Sequence, residues 1–141
     1  MVTLTTKRRL DEIAMSAEVT KLFHRANTIL FGTHYSRKKQ MMLATVAVQE
    51  WSVNQGLHTH ILVGVPEGSL SLKAHPCRVP VPTLLTSLWT ELDERGRRSA
   101  AAQDARDIFD FDGAIRYITK TIRSPDDQTR ADWLNTITPD V

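Results

Sequence analysis

The sequence predicts an α+β fold in which helices pack against one face of an antiparallel sheet. The chain has 141 residues, which is the length of about one domain, and 41% hydrophobic and 24% charged residues are typical of a globular protein. Hydrophobic residues recur with the periods of strands and helices in the order β-α-β-β-α-β-α. The two middle strands form a hairpin, which makes this part of the sheet antiparallel.

The first strand and the first helix lie within residues 1–32. Residues 2–6 are β-branched and alternate in polarity, which predicts a short strand. Apolar residues then recur over residues 11–30 near the 3.6-residue period of an amphipathic helix. Gly32 follows this segment and is expected to end the helix.

Two β-rich segments, residues 42–51 and 57–65, form the next pair of strands. The residues between them include Asn54 and Gly56, which are frequent in tight turns. We therefore expect a β-hairpin.

The C-terminal half begins with a proline-containing loop at residues 67–82. A second helix is predicted at 83–94, a short strand at 107–111, and a third helix at 113–123 with Asp112 as its cap. This order of elements is that of a ferredoxin-like or RNA-recognition-like sandwich. A fold of this kind does not by itself determine function.

Composition excludes several classes of protein. The single cysteine, Cys77, excludes a disulfide scaffold and a cysteine-rich zinc cluster, and it fits a reducing compartment. No segment approaches the roughly 18 apolar residues of a membrane span. Residues 1–10 are polar and basic, whereas a signal peptide has an apolar centre. We expect a soluble, cytoplasmic protein that does not contact a membrane.

Positive charge is concentrated in the first sixty residues, which carry a net charge of +4, whereas the whole chain carries +2. Two short basic runs contribute most of this charge: Lys7, Arg8, Arg9 and Arg37, Lys38, Lys39. Such runs suit contacts with phosphate groups. Each is also compatible with an ordinary solvated turn.

The hairpin contains the strongest candidate for a functional site. Alternate residues of a strand share a face, so His58 and His60 point the same way. If the turn centres on Asn54, antiparallel pairing puts Glu50 opposite His58 on that face. A shift of one residue would send Glu50 to the other face and leave an ordinary histidine pair. Two imidazoles and a carboxylate suit Mg²⁺, Mn²⁺, Zn²⁺ or Fe²⁺, and the ligand types do not choose among them.

The last helix carries a second candidate group. Ile115, Ile118 and Ile122 form an apolar stripe, and Tyr117 and Lys120 lie three residues apart on a neighbouring face. A tyrosine packed at the helix edge beside a solvated lysine is the simpler interpretation. A tyrosine hydroxyl, with a reference pKa near 10, is a weak nucleophile unless a metal-polarised electrophile and a cation are close.

In order along the chain, these residues resemble three motifs of the HUH endonucleases, specifically the single-tyrosine Rep initiators of rolling-circle replication. The first is Thr3-Leu4-Thr5, the second is Glu50 with the histidine-containing strand, and the third ends in Tyr117 and Lys120. The resemblance implies a nuclease domain at residues 1–123, followed by a tail at 124–141 of unassigned role. Thr59 replaces the bulky apolar residue that the family usually has between its histidines.

The resemblance implies Mg²⁺- or Mn²⁺-dependent nicking and joining of single-stranded DNA. Glu50, His58 and His60 would hold the metal ion. Tyr117 would attack the phosphate to give a 5′-phosphotyrosyl intermediate and a free 3′-hydroxyl, while Lys120 would balance charge. This reaction would initiate rolling-circle replication of a plasmid, phage or virus.

The implied partner is single-stranded DNA at an origin or hairpin. The chain has no room for a helicase domain, so we expect either a minimal nuclease or a fragment of a larger protein. Unwinding would come from elsewhere, for example from a host helicase. A protein from a eukaryotic virus would act in the host nucleus. Tyr35 and Trp51 are candidates for stacking against DNA bases. Trp51 could instead pack in the hydrophobic core. Candidate DNA contacts are Lys7, Arg8, Arg37 and Lys38.

Three alternatives stay open at this point. A transposase or relaxase-like nuclease would use the same catalytic residues. A metal-dependent hydrolase or oxygenase would use Glu50, His58 and His60 without Tyr117. A non-catalytic module of the RNA-recognition type would bind nucleic acid only, although no strand here carries the paired aromatic signature of that fold.

Overall fold

The computed structural model describes residues 1–37, 41–54, 56–66, 79–92, 103–120, 122 and 130–138. The predicted order of strands and helices is confirmed in this part of the chain. The elements are β1 (Val2–Thr5), α1 (Glu12–Phe31), β2 (Ala44–Ser52), β3 (Gly56–Gly64), α2 (Val81–Glu91), β4 (Asp104–Ala105) and α3 (Phe111–Thr119). Short 3-10 turns lie at Tyr35–Arg37 and Trp133–Asn135.

The four strands form one sheet in the order β2-β3-β1-β4, and all neighbours are antiparallel. The predicted α+β class and antiparallel sheet are therefore confirmed. The hairpin closes at the pair Ser52 and Gly56, where Gly56 has a φ of 68°. This left-handed conformation costs glycine little, because glycine has no Cβ atom.

Helices α1 and α2 cover one face of the sheet and enclose the main hydrophobic core. Leu4, Ala47 and Ile61 contribute the sheet side of this core and are fully buried. The Asp11 side chain caps α1 by accepting a hydrogen bond from the Ala14 amide at 2.7 Å. No helix in the described ranges is both long enough and apolar enough to cross a membrane.

Helix α3 packs against the opposite face of the sheet. Ile118 is buried there against Val48 and Leu62, with partly buried residues of α3 around it. The sequence predicted all helices on one face, whereas α3 covers the second face and is the only helix there in the described part of the chain. The physical reason is that Val48 and Leu62 make this side of the hairpin apolar, so it too needs a cover.

The predicted strand before α3 and both predicted ends of this helix are wrong. The strand predicted at 107–111 lies instead at Asp104–Ala105. Helix α3 begins at Phe111, because the Asp110 carboxylate, not Asp112, accepts the capping hydrogen bond from Gly113 at 2.9 Å. The helix ends at Thr119, before the predicted end at residue 123.

Helix α2 also begins earlier than predicted, at Val81, with a proline in its first turn where no amide donor is needed. It ends at Glu91 and not at residue 94. Most of the loop predicted at 67–82, including Cys77, lies outside the described residues.

The C-terminal segment lies along the outer edge of β2. Thr45 pairs with Ile137 through two backbone hydrogen bonds of 2.8 Å, and Val48 pairs with Ala131. The buried Asp132 carboxylate accepts a hydrogen bond from Ser16 Oγ in α1 at 2.8 Å. Residues 131–137 of the predicted tail therefore cover a strand edge that would otherwise be exposed.

Candidate functional site

Glu50, His58 and His60 meet on the face of the sheet that α3 covers. The predicted register is confirmed, since Glu50 pairs with His58 and Val48 pairs with His60. Glu50 Oε2 lies 3.2 Å from His60 Nε2 and 3.9 Å from His58 Nε2. One ligand atom from each of the three residues lies within 4.8 Å of the others. The group is therefore compact enough to bind one metal ion.

One hydrogen bond within β3 and one from β1 orient the two imidazole rings. His58 Nδ1 lies 3.1 Å from the Gly56 carbonyl oxygen, and His60 Nδ1 lies 3.0 Å from Thr3 Oγ1. The Gly56 carbonyl can only accept a hydrogen bond, so His58 Nδ1 is the donor there and Nε2 is left to bind a ligand. The Thr3 hydroxyl can accept a hydrogen bond from His60 Nδ1 in the same way. Partners of this kind fix the ring and the tautomer of metal-binding histidines.

Burial lowers the pKa of His60, and the neighbouring His58 lowers it further, while Glu50 acts in the opposite direction. The two histidines are only 4% and 5% exposed, and their rings meet edge to face at 4.9 Å. A lowered pKa keeps His60 neutral at neutral pH. Only the neutral imidazole can bind a metal ion, so burial prepares the residue for this role.

The donor chemistry of this group fits a divalent cation. A carboxylate oxygen and two imidazole nitrogens are ligands shared by Mn²⁺, Zn²⁺ and Fe²⁺, and carboxylates also bind Mg²⁺. Three protein ligands leave coordination positions for oxygen atoms of a substrate. Among the described residues, no second group of this kind is found.

Helix α3 brings Tyr117 and Lys120 to the same place. The Tyr117 and His60 rings lie 5.6 Å apart between centroids. Lys120 Nζ lies 3.7 Å from Glu50 Oε2 and 4.3 Å from the centre of the Tyr117 ring. Tyr117 is 46% exposed, so a substrate can reach it from solvent.

The packing of α3 explains this placement. Ile118 inserts between Val48 and Leu62, which fixes the rotation of the helix over the hairpin. Tyr117 and Lys120 lie on either side of Ile118 in the sequence, so this packing places them beside the two histidines. The sequence predicted that the tyrosine and lysine share a helix face, but not that this face meets Glu50.

Thr3 is a functional candidate whose role sequence reasoning missed. The resemblance includes Thr3 only as part of its first motif, whereas the Thr3 hydroxyl contacts His60 Nδ1 across the β1–β3 pair. Antiparallel pairing of the first strand with the histidine strand would have revealed this contact. That pairing depends on the order of the strands in the sheet, which the local sequence pattern does not predict.

The predicted DNA contacts do not form one cluster in the described chain. Lys7 and Arg8 are exposed in the loop before α1. Arg37 is exposed in the turn beyond the other end of this helix, whose 20 residues span about 30 Å. Lys38 lies outside the described residues.

The two candidate stacking residues differ in their surroundings. Trp51 is 60% exposed, so it is not part of the core. The Tyr35 hydroxyl lies 2.9 Å from His24 Nδ1, and burial raises the pKa of this phenol.

Comparisons of the chain with protein-family models, curated proteins and solved structures find no match.

Proposed function

We propose that this protein nicks and rejoins single-stranded DNA, with Tyr117 as the nucleophile. The observation that carries the proposal is the meeting of two separate parts of the sequence. A tyrosine and a lysine on α3 lie against a group of one carboxylate and two imidazoles on the hairpin. A site that only bound a metal ion would need neither Tyr117 nor Lys120.

We assign Mg²⁺ or Mn²⁺ to Glu50, His58 and His60. The bound ion would act as a Lewis acid toward a non-bridging oxygen of the phosphate. The two imidazole rings are already oriented for binding a metal ion, because Gly56 and Thr3 hold them with Nε2 directed at Glu50.

In the nicking step, Tyr117 Oη forms a bond to phosphorus and loses its proton. The bond between phosphorus and the 3′ oxygen breaks, and that oxygen takes up a proton to become a free 3′-hydroxyl. The 5′ phosphate stays on the tyrosine. Attack by a 3′-hydroxyl on this phosphotyrosine reverses the step, restores the strand and releases Tyr117.

Lys120 stabilises negative charge during this reaction. Its ammonium group lies beside both the tyrosine ring and Glu50, so it is held where charge builds up on the phosphate. A fixed cation at such a position lowers the barrier because it needs no reorganisation. Lys120 is therefore proposed to assist the reaction without forming a bond to the substrate.

The resemblance of the motifs to Rep initiators supports a role in starting rolling-circle replication. The DNA would then be an origin or hairpin. Transposition and conjugative transfer use the same chemistry, so the preferred DNA sequence distinguishes these roles.

The proposal is tested by incubating the protein with labelled single-stranded oligonucleotides and Mn²⁺, followed by a denaturing gel. Wild type and Tyr35→Phe should form a covalent adduct, whereas Tyr117→Phe should bind DNA and form none. Tyr35 is the matched control because the sequence has only two tyrosines. Cleavage without an adduct would assign the attack to water and make the protein a metal-dependent hydrolase.

A further inference from the structure

A pocket of about 290 Å³ opens at the end of the sheet where β1 and β2 end and β3 begins. Its volume is near the lower limit of small-molecule sites, roughly 300 Å³, which suits one nucleotide and not a longer segment. The described residues that line it include Lys7, Arg8, Arg9, Trp51, Gly56 and Leu57, and none of its described lining residues carries a carboxylate.

Trp51 gives this pocket an accessible aromatic surface. It is 60% exposed, although Leu57, its direct partner in β3, is buried. Most tryptophans in folded proteins bury the greater part of their surface. An exposed indole beside cationic side chains is the combination that single-stranded nucleic acid sites use to stack a base.

Lys7, Arg8 and Arg9 give the pocket a positive charge that nearby carboxylates do not neutralise. None of the three forms an ion pair in the described part of the chain. Other cations do pair, as Lys21 does with Glu18 and Arg25 with Glu91. The three side chains are therefore available to an anionic ligand.

The pocket and the metal-binding group use adjacent residues of the hairpin, because Trp51 follows Glu50 and Leu57 precedes His58. Trp51 directly follows Glu50 but points to the other face of the strand. The carbonyl oxygen of Gly56, which lines the pocket, accepts the hydrogen bond from His58. A ligand that occupies both places must bend over the end of the sheet. A single strand can make this bend, whereas duplex DNA is stiff over about 50 nm.

We infer that this pocket binds one unpaired nucleotide next to the cleaved phosphate, with its base stacked on Trp51 and its phosphate held by Lys7, Arg8 and Arg9. The inference rests on the proposed function, because it takes the substrate to be single-stranded DNA. The pocket would be a second place, outside the metal-binding group, where the protein holds the DNA strand.

The first test measures binding without chemistry. The fluorescence anisotropy of labelled oligothymidylate is recorded with EDTA present, so that no nicking occurs. Trp51→Ala should weaken binding roughly tenfold, and Trp51→Phe should recover much of this loss. Trp133→Ala is the matched control, because Trp133 is also exposed but does not line the pocket. Thermal denaturation checks that each variant is folded.

The second test separates contact with phosphate from general charge. Lys7→Gln with Arg8→Gln removes the same net charge as Lys21→Gln with Arg25→Gln. The double substitution of Lys7 and Arg8 should reduce the slope of log K for DNA binding against log salt concentration by about 1.4. This is the value for two phosphate contacts on a single strand. The control pair should leave the slope unchanged.

Equal effects of the pocket and control variants, or absence of oligothymidylate binding by wild type, would overturn the inference. If wild type forms the tyrosine adduct while the pocket variants bind DNA normally, the pocket assignment fails and the proposed function stands. If the pocket variants lose binding as expected but no adduct forms, the nicking assignment fails and the pocket remains a single-strand site.

Discussion

The two faces of the sheet are made by the same strands but carry different chemistry. Toward α1 and α2, β3 presents Leu57, Thr59 and Ile61 to an apolar core. Toward α3, the same strand presents His58 and His60 to Glu50. The two-residue period of a strand thus separates residues that stabilise the fold from residues that carry the site. Substitutions on the two faces should therefore have different consequences.

The largest effect on the site is expected from His60→Ala. Loss of a donor atom should weaken Mn²⁺ binding more than about 100-fold, beyond the effect of losing an outer partner. It should also abolish nicking. Because His60 is outside the apolar core, the melting temperature should fall less than for a core truncation. Calorimetric titration with Mn²⁺ and thermal denaturation measure both quantities. Unchanged Mn²⁺ affinity would show that His60 is not a ligand.

Ile61→Ala is the matched truncation on the other face. Ile61 is fully buried, and its neighbour in sequence is His60. The free energy of unfolding should fall by about 2–5 kcal/mol, because the lost side chain leaves a cavity. The Mn²⁺ affinity of the folded variant should stay close to wild type. Denaturant titration gives the stability, and loss of both properties together would contradict the separation of the faces.

Thr3→Val tests the hydrogen bond that orients His60. The substitution keeps the shape of the side chain but removes the Oγ1 atom that contacts Nδ1. We expect Mn²⁺ affinity to fall by roughly 10- to 100-fold, as for other outer partners of metal ligands. Thr3→Ser, which restores the hydroxyl, should recover most of the affinity. If Val and Ser behave alike, the hydroxyl does not position the ring.

Thr59→Val makes the same replacement on the core face of the sheet. We expect it to have the smallest effect and to increase stability, whereas the substitutions above cause a loss of stability or of metal binding. Thr59 is fully buried, and its hydroxyl has no hydrogen-bond partner among the described residues. Replacing it with a methyl group should raise the free energy of unfolding by up to about 1 kcal/mol. Metal binding should be unaffected. A loss of stability in denaturant titration would mean that the Thr59 hydroxyl is satisfied in solution.

The hairpin and its register were predictable because the information is local. Asn54 and Gly56 fix the turn, and the turn fixes which residue lies opposite His58. Helix α1 was predictable for a similar reason, since a long apolar period ends at a glycine with a φ of 85°. These features required no knowledge of distant contacts.

The remaining features depend on contacts between distant parts of the chain. Strand β4 has two residues, which is too short to show a period. The position of α3 depends on the packing of Ile118 against Val48 and Leu62 on the second face of the sheet. The C-terminal segment is held by buried polar contacts such as Asp132 with Ser16, which leave no hydrophobic pattern in the sequence.

In the proposed reaction Tyr117, which α3 holds against Glu50, His58 and His60, becomes joined to DNA. Mass spectrometry of the denatured reaction with Mn²⁺ maps the peptide that carries the nucleotide. We expect a phosphodiester to Tyr117 and a free 3′-hydroxyl on the released strand. An adduct on Tyr35, or cleaved DNA with no adduct on either tyrosine, would contradict it.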